Sequence, residues 1–294
     1  MANADNSVLI AQITDTHVGF EPEAGDDEFN FLRFRMTIDH LLGQSTHPDI
    51  LILSGDIADK GAADSYQRVR ATIAQCPFPV HVMTGNHDDR RALLKAFPEC
   101  PTFDDATGKR YAQYSLDVKG LRVVCLDTLK HGRHGGALCE ARADWLAAQL
   151  AAHPVTPTLI VMHHPPVIAG IDWMDPRPNE AWLQRVGAAI KGHKQVIGMA
   201  CGHLHRPVAA SFDATPVSIT PAVAPAVSLD LRPVNFSKAD GRGIVDAEPP
   251  GYALHRWKDG QLVTHFQPVG DWTRLATFED HLVPMMEALE AEKS

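Results

Sequence analysis

Five short apolar runs each lead into residues able to bind a metal ion. Val8-Leu9-Ile10 precedes Asp15-Thr16-His17, Ile50-Leu51-Ile52-Leu53 precedes Gly55-Asp56, and Val80-His81-Val82-Met83 precedes Gly85-Asn86-His87-Asp88. Leu159-Ile160-Val161-Met162 precedes His163-His164-Pro165-Pro166, and Val196-Ile197-Gly198-Met199-Ala200 precedes Gly202-His203-Leu204-His205. Collected, Asp15, His17, Asp56, Asn86, His163, His203 and His205 offer seven nitrogen and oxygen donors. That exceeds the need of one four-coordinate ion and suits two ions sharing a carboxylate. With no sulfur ligand, manganese, iron or zinc is favoured over copper(I) or an iron–sulfur cluster, and the histidine count disfavours magnesium or calcium.

Two divalent ions roughly 3.5–4 Å apart can hold a hydroxide and clamp the attacking and leaving oxygens of an in-line displacement at phosphorus. Two such ions, Asp15, Asp56 and the hydroxide leave one positive charge, which a monoanionic phosphodiester neutralises. His87 is spare beside Asn86, placed to hydrogen-bond a phosphoryl oxygen or protonate the leaving alkoxide. Asp15 with His17, and His203 with His205, are spaced i, i+2, so each pair leaves one face of an extended backbone. Adjacent His163 and His164 point to opposite faces, so one of them is a ligand, and His163 is the choice. Asp59 reads as a turn or capping acid. Arg206, Arg133 and His134 in the Gly-rich loop 131–136, and Met174 in the loop 171–176, are candidate substrate contacts.

The elements that must position these groups are strands buried on both faces, as continuous apolar runs indicate. In an open α/β sheet, ligands collect beyond the carboxyl ends of the strands. Between the runs, Phe31, Phe34, Ile38 and Leu41 recur at helical spacing after Asn30, a candidate cap. A second helix carries Tyr66, Val69 and Ile73 and stops before Cys76-Pro77-Phe78-Pro79. Helices are further expected over 138–152 and 179–191, with a helix and a polar loop over 90–110. Residues 111–118 and 121–126 read as a hairpin around Lys119-Gly120. Beyond Arg206, short strands are expected at 208–212, 216–220, 252–257 and 261–267, a loop over 221–250, and a helix opening at Pro284. One domain over 1–270 follows, with its core at about 8–212, C-terminal strands at about 213–270 and a tail at 271–294.

The chain has 294 residues, 45% of them hydrophobic, enough for a large core. Its 36 acidic against 27 basic residues give a net charge of −9 without a block of Lys and Arg. That speaks against a nucleic-acid polymer or an anionic membrane as partner. Residues 1–7 carry no Lys or Arg, so no secretory signal is expected, and no run reaches the ~18 apolar residues of a membrane span. Five scattered cysteines (Cys76, Cys100, Cys125, Cys139 and Cys201) read as reduced thiols of a cytoplasmic protein.

In this order, Asp15-x-His17, Gly55-Asp56, Gly85-Asn86-His87-Asp88, His163 and Gly202-His203-x-His205 resemble the motifs of the calcineurin-like metallophosphoesterases, over about residues 8 to 212. Within them, the His163-His164-Pro165-Pro166 stretch, the Met174-Asp175-Pro176 loop and the chain length look like the bacterial class III cyclic nucleotide phosphodiesterases and the related glycerophosphodiesterases. The resemblance implies a four-layer α-β-β-α sandwich with two mixed sheets. It also implies one metal on Asp15, His17, Asp56 and His205, the other on Asp56, Asn86, His163 and His203, His87 as catalytic histidine near the leaving group, and a dimer or larger homo-oligomer. The expected activity is hydrolysis of a small phosphodiester, such as a cyclic nucleotide or a glycerophosphodiester. A nuclease or phosphomonoesterase of the same superfamily, and a catalytically inactive metal-binding scaffold, are the alternatives.

Overall fold

The computed structural model describes residues 6–293. The reading of the N-terminus as free of a secretory signal rests largely on residues 1–5, outside the described residues. In chain order the elements are β1 (Val8–Ile13), α1 (Phe29–Leu42), β2 (Ile50–Leu53), α2 (Ala63–Ile73), β3 (Val80–Val82), α3 (Arg90–Ala96), β4 (Phe103–Asp104), β5 (Arg110–Tyr111), β6 (Tyr114–Val118) and β7 (Leu121–Leu126). There follow α4 (Glu140–Ala152), β8 (Thr158–Met162), α5 (Ala181–Ile190), β9 (Val196–Cys201), β10 (Val208–Phe212), β11 (Thr215–Ile219), β12 (Ala226–Val227), β13 (Val245–Asp246), β14 (Gly251–Lys258), β15 (Gln261–Pro268) and α6 (Val283–Ala291).

Two mixed sheets result, ordered β15-β14-β1-β2-β3 and β10-β11-β9-β8-β7-β6. In the first, β1, β2 and β3 are parallel; in the second, β7, β8, β9 and β11 are parallel. Alternation along the strands sorts the side chains into layers. Ile10, Ile52, Cys125 and Val161 meet between the sheets. Their neighbours Ala11, Leu53 and Val82 pack under α1, α2 and α3, while Leu126, Ile160 and Met162 pack under α4 and α5. Every core strand is thus apolar on both faces, and the four-layer α-β-β-α order follows. Between the sheets, buried Gln12 donates to Ser54 Oγ (2.7 Å) and to the Cys201 carbonyl (3.1 Å), fixing the end of β1 against β9.

Several local expectations change. Asn30 is not the helix cap: α1 opens after Glu28, and Asn30, buried in the first turn, donates to the His17 carbonyl at 3.1 Å. Glu28 instead accepts from the Gly19 and Phe20 amides, tying the loop after β1 to the helix. The hairpin of β6 and β7 starts at Tyr114, because Tyr111 pairs with Phe103 in the separate β4–β5 ribbon. The 221–250 segment is mostly irregular but includes the paired β12 and β13. Among the described residues, no helix is long and apolar enough to cross a membrane.

Candidate metal centre and active site

The parallel strands bring their carboxyl ends to one edge of the sandwich. The first sheet contributes Asp15 and His17 after β1, Asp56 after β2, and Asn86 and His87 after β3. The second contributes His163 after β8 and His203 and His205 after β9. Asp15, His17 and His205 hold ligand atoms within 4.8 Å of one another, and so do Asp15, Asp56 and His163. These five gather at one rim, His203 is in ligand range of His163 there, and Asn86 follows β3, the strand beside β2.

The backbone there is strained. Asp15, His17, Asp56, His203 and His205 have φ of 52°, 47°, 48°, 71° and 53°, in the left-handed region that side chains other than glycine avoid. Amide bonds to fixed acceptors hold them, for example Asp15 to the Gly55 carbonyl (3.0 Å) and His17 to the Asp56 carbonyl (2.9 Å). Two glycines permit the closeness. A Cβ on Gly85 would lie 2.2 Å from Asp56 Oδ1, and one on Gly202 would lie 2.1 Å from Thr14 Oγ1.

Each carboxylate has one oxygen satisfied by the protein and the other turned to imidazoles. Asp15 Oδ2 accepts from Thr14 Oγ1 (2.8 Å) and the His203 amide (2.9 Å), and Asp56 Oδ1 accepts from the His87 amide (2.8 Å). Asp15 Oδ1 stands 3.2 Å from His205 Nε2, and Asp56 Oδ2 lies 3.2 Å from His163 Nε2 and 3.6 Å from His17 Nε2. Asp56 thus reaches imidazoles from both sheets.

The far side of each imidazole fixes what faces the centre. His163 Nδ1 donates to the Ser54 carbonyl (3.0 Å) and His205 Nδ1 to the Pro225 carbonyl (2.8 Å), since a carbonyl can only accept. His17 Nδ1 donates to Asp59 Oδ1 at 3.1 Å. In the neutral rings the Nε2 lone pairs then face inward, with those of His17 and His205 only 3.2 Å apart. Among the described residues, Asp15 Oδ1, His163 Nε2 and Asn86 Oδ1 are buried with no hydrogen bond made. Buried lone pairs facing one another are costly unless a proton or a cation sits among them. The donor set, all oxygen and imidazole nitrogen, fits divalent cations.

Without a cation, the same contacts shift how these groups titrate. Burial alone would raise Asp15, but His205 and His163 pull its carboxyl down to about 2. Burial would also lower His163, but Asp56 and Asp15 carry it up to about 9. Asp56 is likewise held well below the carboxylate range by His163 and His17 despite its burial.

Asp59, read from sequence as a turn acid, orients two histidines: His17 through its carboxylate and His87 through its carbonyl, which accepts from His87 Nδ1 at 2.9 Å. Its spacing from Asp56 is the only sequence signal that could have found it. Asp88 is a second such support, buried and accepting from the Gly85 and Ala58 amides and the Tyr66 hydroxyl. Of the adjacent histidines, His164 lies in ligand range of His163 and His203, yet both its nitrogens are engaged, with Thr128 Oγ1 (2.7 Å) and the His134 carbonyl (3.1 Å).

The candidate substrate contacts divide. His87, Asn86, Arg133 and His134 line one cavity of about 440 Å³, and the His134 ring lies 4.7 Å from that of His203. Met174 is buried in the apolar layer beneath α5; its neighbour Trp173 stacks on His134 instead. Arg206 donates to Glu248 (2.7 Å) and to the Val227 carbonyl (2.9 Å), so it is tied to the 226–248 segment.

The family profile of the calcineurin-like phosphoesterases matches residues 8–207. A probable glycerophosphodiester phosphodiesterase of Arcobacter nitrofigilis is 29% identical over 265 residues, covering 90% of this chain and 94% of that protein. A probable cyclic nucleotide phosphodiesterase of Rhodopseudomonas palustris is 33% identical over 74% of this chain and 78% of that protein. Among solved structures, a purple acid phosphatase from yellow lupin (Lupinus luteus) seeds shares the fold, with a TM-score of 0.60 at 16% identity over 90% of this chain and 52% of that one. By its motifs, its fold and its match over residues 8–207, the chain belongs to the calcineurin-like phosphoesterase family.

Proposed function

We propose that the protein is a metal-dependent phosphodiesterase acting on small diesters of the cyclic nucleotide or glycerophosphodiester class. Asp15, His17, Asp56 and His205 would hold one divalent cation and Asp56, Asn86, His163 and His203 the other, with Asp56 shared. Two such ions supply Lewis acidity and lower the pKa of water from about 15.7 to about 7. The observation that carries this reading is the set of partnerless buried donors, Asp15 Oδ1, Asn86 Oδ1 and His163 Nε2, drawn from three different strand ends. Manganese or iron suits the imidazole–carboxylate mixture, with zinc as a third choice.

The protein's own groups do the rest. His87 keeps Nδ1 on the Asp59 carbonyl, which leaves Nε2 for a substrate in the cavity. In the metal-free protein its hydrogen bond to Asp59 and the field of Asp56 outweigh burial and raise it to about 9; in its protonated form it would give that proton to the leaving alkoxide. His134 lines the same cavity, with Trp173 stacked against its ring. The names of the relatives support the diester preference. The five free cysteines suit the cytoplasm, and the exposed apolar residues Leu275, Phe278 and Met285 suit contact with a second copy in a homo-oligomer.

Protein reconstituted with defined metals is expected to hydrolyse bis(p-nitrophenyl) phosphate with a higher kcat/KM than p-nitrophenyl phosphate. A reversed ratio would assign a phosphomonoesterase, and two bound ions with neither activity would assign an inactive scaffold.

A further inference from the structure

The absence of a Lys and Arg block in the sequence does not carry over to the folded surface. A cleft of about 1440 Å³ lies beside the proposed active site, and Asp89, His131 and Arg133 line both. Its walls come from α3, the β4–β5 turn, the loop after β7 and the segment leading into α5. Arg91 and Lys95, at i and i+4 on α3, present adjacent cations on one helix face. Lys130, Arg133 and Arg177 join them from two other segments.

All five are exposed, and among the described residues none is ion-paired, in a chain whose net charge is −9. The two carboxylates of the lining are already used. Asp89 caps α3 by accepting from the Ala92 amide at 2.8 Å, and Glu180 accepts from the Arg177 amide and Trp182 Nε1, both at 3.1 Å. Unneutralised cations converging in a concave site focus an anion-attracting field. The cleft joins the cavity at Asp89, two residues beyond His87, and at His131 and Arg133 of the loop after β7; in the reading above His87 serves the leaving group.

We infer that this cleft binds a phosphate on the leaving-group arm, so that the preferred substrate is a phosphodiester carrying at least one further phosphate beyond the scissile one. The inference rests on the phosphodiesterase reading. In the reaction, water adds to phosphorus, the P–O bond to the phosphorylated alcohol breaks, and that alcohol takes up the proton. The same chemistry fits a phosphorylated small diester or the next nucleotides of a short strand.

The test compares kcat/KM of the metal-loaded enzyme for a deoxyadenylate dinucleotide with and without a terminal phosphate at either end, and for longer oligodeoxyadenylates. Calorimetric titration of the metal-free protein with the same ligands reports on the cleft independently of turnover. The terminal phosphate is expected to raise kcat/KM about ten- to hundredfold, mostly through KM, as one or two charge-assisted hydrogen bonds would. The double variant Arg91→Ala/Lys95→Ala should lose that gain, in both kinetics and binding, while hydrolysing bis(p-nitrophenyl) phosphate at the wild-type rate. A plateau after one extra phosphate identifies a small diester as the source, and a rise with every added nucleotide identifies a strand. No advantage from the terminal phosphate, or an advantage undiminished in the double variant, overturns the inference. Failure on bis(p-nitrophenyl) phosphate strikes the phosphodiesterase reading instead.

Discussion

Asp127 and Asp15 are both fully buried acids just beyond a parallel strand of the sandwich, yet their surroundings differ in one respect. Asp127 receives Arg90 in a bidentate pair (2.6 and 2.7 Å), the Ala112 and Leu129 amides (both 3.0 Å) and Arg142 (3.4 Å). Both of its oxygens are matched, and burial that would raise its pKa is outweighed by the Arg90 hydrogen bonds, which lower it. Asp15 keeps one oxygen matched and the other without a hydrogen-bond partner, among imidazoles whose free nitrogens turn toward it. A buried charge with every lone pair used is scaffold, whereas one with lone pairs left over calls for a further partner, which the proposed reading supplies as a cation.

Four substitutions or conditions sharpen that contrast. His87→Ala keeps the backbone amide that donates to Asp56, so the metals should stay while turnover of diesters with poor leaving groups falls roughly 10²–10⁴-fold, as loss of a general acid would cause; steady-state kinetics beside metal analysis checks both halves. Asp127→Ala strands two guanidinium groups and should cost about 3–5 kcal/mol of stability, read by urea denaturation, with metal content unchanged. Asp59→Asn weakens the outer hydrogen bond to His17 and should reduce metal affinity about 10–100-fold, measured by competition with a chelator. The smallest effect is on pH. Because the folded-state pKa of Asp127 is depressed, its contribution is complete above the unfolded value of about 3.9 and is lost as pH falls through the lower folded one. The stability gap between wild type and Asp127→Ala should therefore be constant near neutrality and narrow below about pH 4.

What could be read before folding follows the same division. The clustering of the candidate ligands was legible because each lies within a few residues of an apolar strand, and parallel strands carry such ends to one edge. Asp59 was not, because its role depends on where His17 and His87 point after the chain has turned. Arg206 has the composition of a phosphate contact, but its partner Glu248 is distant in sequence. Met174 and Trp173 exchange places because periodicity in a loop does not say which side chain faces inward. The basic cleft escaped for a like reason: its free cations are scattered over three segments and meet only in the fold.

The count of metal ions per chain bears most directly on the central claim. Protein purified with manganese or iron and desalted should retain two ions per chain by elemental analysis, and Asp56→Ala should retain neither tightly. Two ions held equally well by the variant, or a wild type that binds none, would contradict the assignment of the strand-end donors as a shared dinuclear site.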